Sequence, residues 1–243
     1  MAGEFVKFAT VQSVMNIVTS ELGLATPSFY VGNTDLTISQ LMAMLTSAGQ
    51  DLCMMNDWQY LHKEWTLPVI AGTTVYQLPT DWNSFVDGTM WNTGTALPVI
   101  GPITPQVWRM LKARFVGGTT ISIMYRIIGN QMILFQNPSQ NVNLVTDYYS
   151  RGWILQVDGI TFRDNPAADS DTLLFDSRIV VPLLKLRWRG EKGFDTSKST
   201  QDFNDAWDLV VGRDIPAPTL SIGTRTIYPF LNYTNIPDTN YGT

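Results

Sequence analysis

Few residues in this chain can do chemistry. Its 243 residues include one cysteine, Cys53, and one histidine, His62. A Cys/His zinc site needs several such ligands, so one subunit cannot build it, and no intrachain disulfide can form. Cys53 lies in Leu52-Cys53-Met54-Met55, an apolar helical setting that predicts a buried, inert thiol. His62 could act as one general base, yet no Gly-x-Ser-x-Gly elbow accompanies it, so it is read as a structural or surface histidine. The carboxylates Asp81, Asp87 and Asp164 are scattered along the chain. Two carboxylates about 5 to 9 Å apart can hydrolyse a glycosidic bond, and tryptophan faces can stack on sugars, but sequence spacing does not establish such a pair. Asp169-Ser170-Asp171 begins like a calcium loop, but the third oxygen ligand, the glycine and the closing glutamate are missing. Gly117-Gly118-Thr119-Thr120 has no lysine after it and precedes an alternating strand, so a tight turn is expected there and not a phosphate cradle. With no catalytic, cofactor or metal constellation recognised, the reading is a protein that is not an enzyme and needs no cofactor.

The composition narrows the class. Only 15% of residues are charged, against about 25% in an ordinary soluble domain, and the formal net charge is -5. With 44% hydrophobic residues and eight Trp, the chain has enough apolar material for a full core. It is therefore neither a disordered acidic tail nor a basic nucleic-acid binder. Low charge with many aromatics fits either a large core or a surface covered by other protein, since interface cores are depleted in charge. No apolar run approaches the roughly 20 residues of a membrane helix. The start, Met1-Ala2-Gly3-Glu4-Phe5, lacks a basic segment and apolar run, so folding in a cytoplasm is expected and the Asn232-Tyr233-Thr234 sequon is discounted.

Periodicity supplies the positioning elements. Phe5, Phe8, Val11, Val14, Met15, Val18 and Leu22 form an amphipathic helical stripe that Gly23 can end. A second helix opens at the capping box Thr37-Ile38-Ser39-Gln40, with Asp35 as a competing cap, and carries Ile38, Leu41, Leu45, Ala48, Leu52 and Met55. From residue 63 to 153 the period becomes two. Lys63 to Ile70 and Thr73 to Leu78 are expected to pair as a hairpin across Ala71-Gly72. Thr104 and Pro105 start a short helix with Val107, Trp108 and Leu111 on one side. The segments from Ile121 to Ile127, Met132 to Gln136 and Val142 to Tyr149 predict an antiparallel meander, followed by a small hairpin at Asp158-Gly159. Helical spacing resumes near Asp176 with Ile179, Val180, Leu183, Leu184 and Trp188, although Pro182 should kink that helix or delay its start. Lys185, Arg187, Arg189 and Lys192 make it the only concentrated basic segment, read either as a solvated face or as charge contacts to a neighbouring subunit. A last helix covers Ser199 to Gly212. In the final 30 residues, prolines forbid a useful helix, while Ile227, Tyr228, Phe230, Leu231, Tyr233 and Tyr241 are too apolar for a solvated tail and are read as anchors for a partner or adjacent subunit.

The fold class expected is α+β: amino- and carboxy-terminal helices forming a helical bundle, an inserted antiparallel β-meander domain, and an extended carboxy-terminal tail. In numbers, residues 1–60 are helical, 61–156 form the β domain with one short helix, and 157–175 are a hairpin and loop connection. Residues 176–213 complete the helical domain, and 214–243 are a docking tail.

The order of these parts resembles a known family, the head-to-tail adaptor proteins of tailed bacteriophages, the group that includes the tail tubular A connectors of short-tailed phages. The resemblance is carried by Phe85-Val86-Asp87-Gly88-Thr89-Met90-Trp91, by the run from Leu97 to Trp108, and by Gly129-Asn130-Gln131-Met132-Ile133-Leu134. It continues through Asp169 to Asp176, Leu184 to Gly193 and Asn235-Ile236-Pro237-Asp238. Pro182 and Gly190 depart from the family pattern. The resemblance implies a virion protein assembled in the host cytoplasm as a ring, usually of twelve subunits, below the portal protein. That ring would extend the DNA channel and give the tail nozzle, or next tail component, a platform. DNA would pass through without sequence-specific binding, and an acidic lumen would repel its phosphates. Two alternatives stand beside it: a head-completion or stopper protein of a long-tailed phage, and a polysaccharide-binding or cleaving tail component.

Overall fold

The computed structural model describes residues 7–113 and 122–214. Over these residues the chain is a mixed α+β protein with five helices and antiparallel sheets. Phe5, Ile121, the Gly117–Thr120 turn and the six tail anchors from Ile227 to Tyr241 lie outside the described residues.

Helix α1 spans Val11–Glu21, shorter than its apolar stripe suggests. It starts where Thr10 accepts a hydrogen bond from the Ser13 amide at 3.2 Å. Phe8 stays outside because the chain before Thr10 is drawn into a sheet-like contact: Thr10 bridges Thr172, and the Ala9 carbonyl accepts from Leu173 N. Helix α2, Leu36–Met55, is capped by Asp35, whose carboxylate accepts from Thr37 N at 2.7 Å and Ile38 N at 3.4 Å. The carboxylate wins over the Thr37 hydroxyl because an ionised acceptor at a helix amino end also meets the positive end of the helix dipole. Helix α4, Ser177–Glu191, is capped by Asp176 and runs through Pro182 unbroken. The proline neither delays the start nor ends the helix, because the apolar residues on both sides of it, Ile179, Val180, Leu183 and Leu184, are buried in one core. Helix α5, Ser197–Asp214, follows after a turn at Gly193.

The strands depart from the expected hairpin. β1 (His62–Val69) pairs along its whole length with β8 (Val142–Ser150), from His62↔Tyr149 to Val69↔Val142. β2 (Val75–Gln77) pairs instead with β7 (Gln131–Leu134) in a separate sheet. The turn at Gly72 does form, with Thr73 N bonded to the Ile70 carbonyl at 3.1 Å. The strands part because eight residue pairs with β8 bury Leu67 and Val69 against Leu144, which a three-residue pairing with β2 cannot match.

The meander is likewise broken after its first turn. β6 (Tyr125–Ile128) and β7 form a hairpin over Gly129-Asn130, but the other neighbour of β7 is β2, while β8 belongs to the sheet with β1. β3 (Trp82–Phe85) and β4 (Trp91–Asn92) also pair with β8, and β5 (Leu97–Pro98) pairs with β4. The short helix α3, Pro105–Ala113, begins as expected at Thr104, which accepts from Val107 N at 3.3 Å. The Asp158-Gly159 hairpin also forms, from β9 (Ile154–Leu155) and β10 (Phe162–Arg163), and β11 (Thr172–Leu173) joins β9 on its other edge.

Two cores result. One gathers α1, α2 and α4 around Trp58, Trp153 and Phe175, with Val210 of α5 added. The other lies among the strands, around Leu67, Tyr125, Met132, Leu134 and Leu144. In the first, α2 comes so near Trp153 that a Cβ on Gly49 would sit 2.2 Å from the indole ring. Trp153 cannot retreat: it is fully buried, stacks on Phe175, and donates from Nε1 to the Asp164 carbonyl at 2.9 Å. Gly49→Ala gains about 1 kcal/mol of helix propensity but overpacks this contact, so a net loss of about 2 kcal/mol is expected. Urea unfolding would measure it, and a midpoint at or above wild type would contradict the packing.

Candidate partner interface

The carboxylates that suggested chemistry are engaged in holding the chain. Asp169 accepts from Tyr30 N at 2.8 Å and Val31 N at 2.7 Å, one amide on each oxygen. Asp171, almost fully buried, accepts from the amides of Ala167 and Ala168, both at 2.9 Å. The calcium-like run is thus a loop brace; among the described residues no group of three His, Cys, Asp or Glu could hold a metal ion. Asp81 accepts from Lys63 Nζ at 2.6 Å, Ser150 Oγ at 2.7 Å and the Tyr148 hydroxyl at 3.0 Å. Lys63 also lies 3.7 Å from the Phe162 ring centroid, so this cluster joins β1 and β8 to the β9–β10 hairpin. Asp87 is exposed in the turn before Gly88, and Asp164 serves Trp153 through its backbone carbonyl.

The two rare residues sit as their surroundings predict. Cys53 is buried and free, and burial, helped by the charge of Asp164, pushes its thiol up to about 12. His62 is exposed at the start of β1, with Nε2 3.7 Å from the Asp147 carboxylate.

The basic helix is engaged within its own subunit. Lys185 Nζ is 2.7 Å from Glu21 Oε2 on α1. Arg187 bonds the Asp51 carboxylate and the Ser47 hydroxyl on α2. Lys192 bonds Gln40 Oε1 at 3.1 Å and lies 4.5 Å from the Trp188 ring centroid. Arg189 is half-buried, and its charge acts on Asp195 and Asp202 beside the α4–α5 turn.

Sequence reasoning missed the surface around the end of the last described helix. α5 ends at Asp214, whose carboxylate accepts from Gln59 N at 3.0 Å. Beside it opens a cleft of about 160 Å³ lined by Lys7, Tyr60, Asp176, Arg178, Leu209 and Arg213, among others. An aromatic seam backs the cleft: Tyr60 stacks on Trp58 at 5.5 Å and meets Phe8 edge-on at 5.9 Å, while Trp58 meets Trp207 at 5.8 Å. The Tyr60 hydroxyl is buried and has no hydrogen-bond partner among the described residues. Burial raises its pKa well above the ordinary tyrosine range, and the charges of Asp214 and Asp176 add to the rise. The signal was present in Trp58-Gln59-Tyr60, but aromatics at core-like spacing read as core.

These features describe a mixed α+β protein whose titratable groups brace its fold and whose open features are surfaces and shallow clefts, among them the one beside Asp214. The sequence matches the family model described as SU10 adaptor protein over residues 10–220, and the chain belongs to that family. It is accordingly a bacteriophage structural protein of the head-to-tail adaptor type, a virion component that associates with portal and tail components. No curated protein matches it, and no helix among the described residues is long and apolar enough to cross a membrane.

The Asp81 cluster yields a pH prediction. Burial alone would raise the Asp81 carboxyl, but the hydrogen bonds from Lys63, Ser150 and Tyr148, with the Lys63 charge, outweigh it and hold the group below the ordinary range. A depressed folded-state value stabilises the fold fully above the unfolded value of about 3.9 and loses that stabilisation as pH falls through the folded value. Asp81→Asn should cost about 1–3 kcal/mol at pH 7 and flatten the fall in stability below pH 4. Urea midpoints at pH 7 and pH 3 test this, and an acid sensitivity equal to wild type would remove the assignment.

Proposed function

We propose that this protein forms a ring beneath the portal, usually of twelve subunits, that extends the DNA channel and carries the tail nozzle or next tail component. The observation that carries this reading is the family match across residues 10–220, nearly the whole chain. The earlier likeness to the connectors of short-tailed phages suggests that tail type. Low charge and many aromatics support a subunit that buries surface against several neighbours. The net charge of -5 suits a channel through which DNA must slide, since carboxylates repel the phosphate backbone. In this role the protein is structural and has no catalytic activity or cofactor. Assembly takes place in the host cytoplasm, before the ring becomes part of the virion.

Within that role, residues 219–243 are assigned as the latch to the portal or to an adjacent subunit, with Ile227, Tyr228, Phe230, Leu231, Tyr233 and Tyr241 as anchors. Lys185, Arg187, Arg189 and Lys192 are assigned as charge contacts at the subunit boundary, supplementary to their bonds within the subunit.

Native mass spectrometry of the protein alone and after mixing with a portal ring tests the role. A fixed multiple of subunits on each portal is expected; a chain that ignores every portal and tail protein offered would overturn the reading. Deleting residues 219–243 should leave a folded protein that no longer joins the portal, and intact portal complexes after that deletion would sink the latch.

A further inference from the structure

The two helices with opposite, unmatched charge lie in different parts of the fold. α3 is seated by one residue: Trp108 is buried, with the Arg126 guanidinium 4.0 Å from its ring centroid and Phe135 edge-on at 5.2 Å. Leu111 is half-buried beside Trp108, and the rest of the helix faces outward. Val107 and Met110 are 36% and 43% exposed along one edge of the helix, Arg109 and Lys112 are exposed along the other, and the helix holds no acidic residue. Among the described residues, no carboxylate forms an ion pair with Arg109 or Lys112.

α5 is the converse. It carries Asp202, Asp205, Asp208 and Asp214 against Lys198 and Arg213. Asp202 is tied to Lys198 at 2.8 Å, and Asp214 accepts from Gln59 N. Asp205 and Asp208 face solvent beside Leu209, which is 43% exposed, and no cation pairs with them among the described residues. Each helix thus exposes two like charges three residues apart together with apolar side chains. Residues three apart on a helix have Cβ atoms about 5–6 Å from each other, so the two pairs of charges have the same spacing.

We propose that α3 of one copy of this chain packs against α5 of the next, with Arg109 and Lys112 facing Asp205 and Asp208 and the exposed apolar residues between them. Two different surfaces joined in this way make a head-to-tail contact, which closes into a ring when the rotation allows. A nine-residue helix is about 13 Å long, so this contact is one part of the subunit boundary. Its charges choose the partner and set the register, which is what complementary interface charges do best. The inference rests on the ring reading above and deepens it by naming the surfaces.

Charge exchange on the full chain tests it. Arg109→Glu with Lys112→Glu makes both faces acidic, and Asp205→Lys with Asp208→Lys makes both basic. Each double variant should keep its circular dichroism spectrum and lose about 100-fold in self-association at low ionic strength, alone or on the portal, as like charges in contact repel. Mixing the two variants should restore association to within a few-fold of wild type, because α3 of each then meets an opposite α5. Unchanged association in either variant, or no restoration on mixing, overturns the proposal. So does a wild-type chain that shows no contact between copies even on the portal. Loss of duplex DNA retention by the α3 variant with self-association intact would assign that face to nucleic acid instead. A portal-bound ring indifferent to the reversals would keep the adaptor reading and remove this contact. Charge-dependent self-association by a chain that ignores the portal would do the opposite.

Discussion

The fold depends on one carboxylate more than on any other polar group. Asp169 receives the amides of Tyr30 and Val31, 139 and 138 positions earlier in the chain, while its backbone carbonyl receives the amide of Gln12 at the start of α1. Helix amino ends and tight loops leave amides without partners, and each one buried and unpaired costs about 1–3 kcal/mol. A single residue here satisfies three. Its neighbours extend the seam: the Asp171 carbonyl takes Val11 N, its carboxylate takes two amides of its own loop, and Asp176 caps α4. The stretch from residue 167 to 176 therefore fixes where α1 begins and where α4 begins, and so brings the helices before and after the strand region to one core.

The rest of the molecule follows from that closure. Because the first core is made from both ends of the sequence, the strand-rich middle leaves it after α2 and returns at Trp153. The return is rigid: Trp153 lies between Gly49 of α2 and Phe175, and the Lys63–Asp81 pair with Tyr148 and Ser150 binds β1, β3 and β8 just before it. The strand region is joined to the helices by stacking and charge-assisted hydrogen bonds.

Local features were legible in the sequence and nonlocal ones were not. The α2 stripe was correct for Ile38, Leu41, Leu45, Ala48 and Leu52, all buried, and failed only at Met55, where the helix end projects beyond the core. The Thr104-Pro105 start, the Gly129-Asn130 hairpin and the Asp158-Gly159 hairpin depend on neighbouring residues alone and formed as expected. The partner of β1 was not legible. Its alternation fits any strand with the same inward set, and the choice of β8 over β2 depends on burial about 80 residues away, which no local pattern encodes. The same holds for the carboxylates. Asp169 and Asp171 look like ligands because short acidic runs with a serine also make calcium loops; what they hold is backbone amides, and the distant amides of Tyr30 and Val31 could not be seen from the run itself.

Charge density along a sequence is also different from charge left available to a partner. Lys185, Arg187 and Lys192 form the densest basic segment, yet Lys185 and Arg187 are each paired with a carboxylate of α1 or α2 and Lys192 is bonded to the neutral Gln40 amide, so less of that charge is free for a partner than its density suggests. α3 carries only two cations, sparse enough to pass unnoticed, but nothing among the described residues neutralises Arg109. Its seat explains why. The apolar side of α3 is seated by Trp108, with Leu111 half-buried beside it, so most of the circumference of the helix is open, and among the described residues no carboxylate forms an ion pair with its two cations. A short helix fastened mainly by one aromatic is a poor contributor to stability and a good carrier of surface. In a chain with so few charges, the unpaired ones on such a carrier are those a partner would meet first.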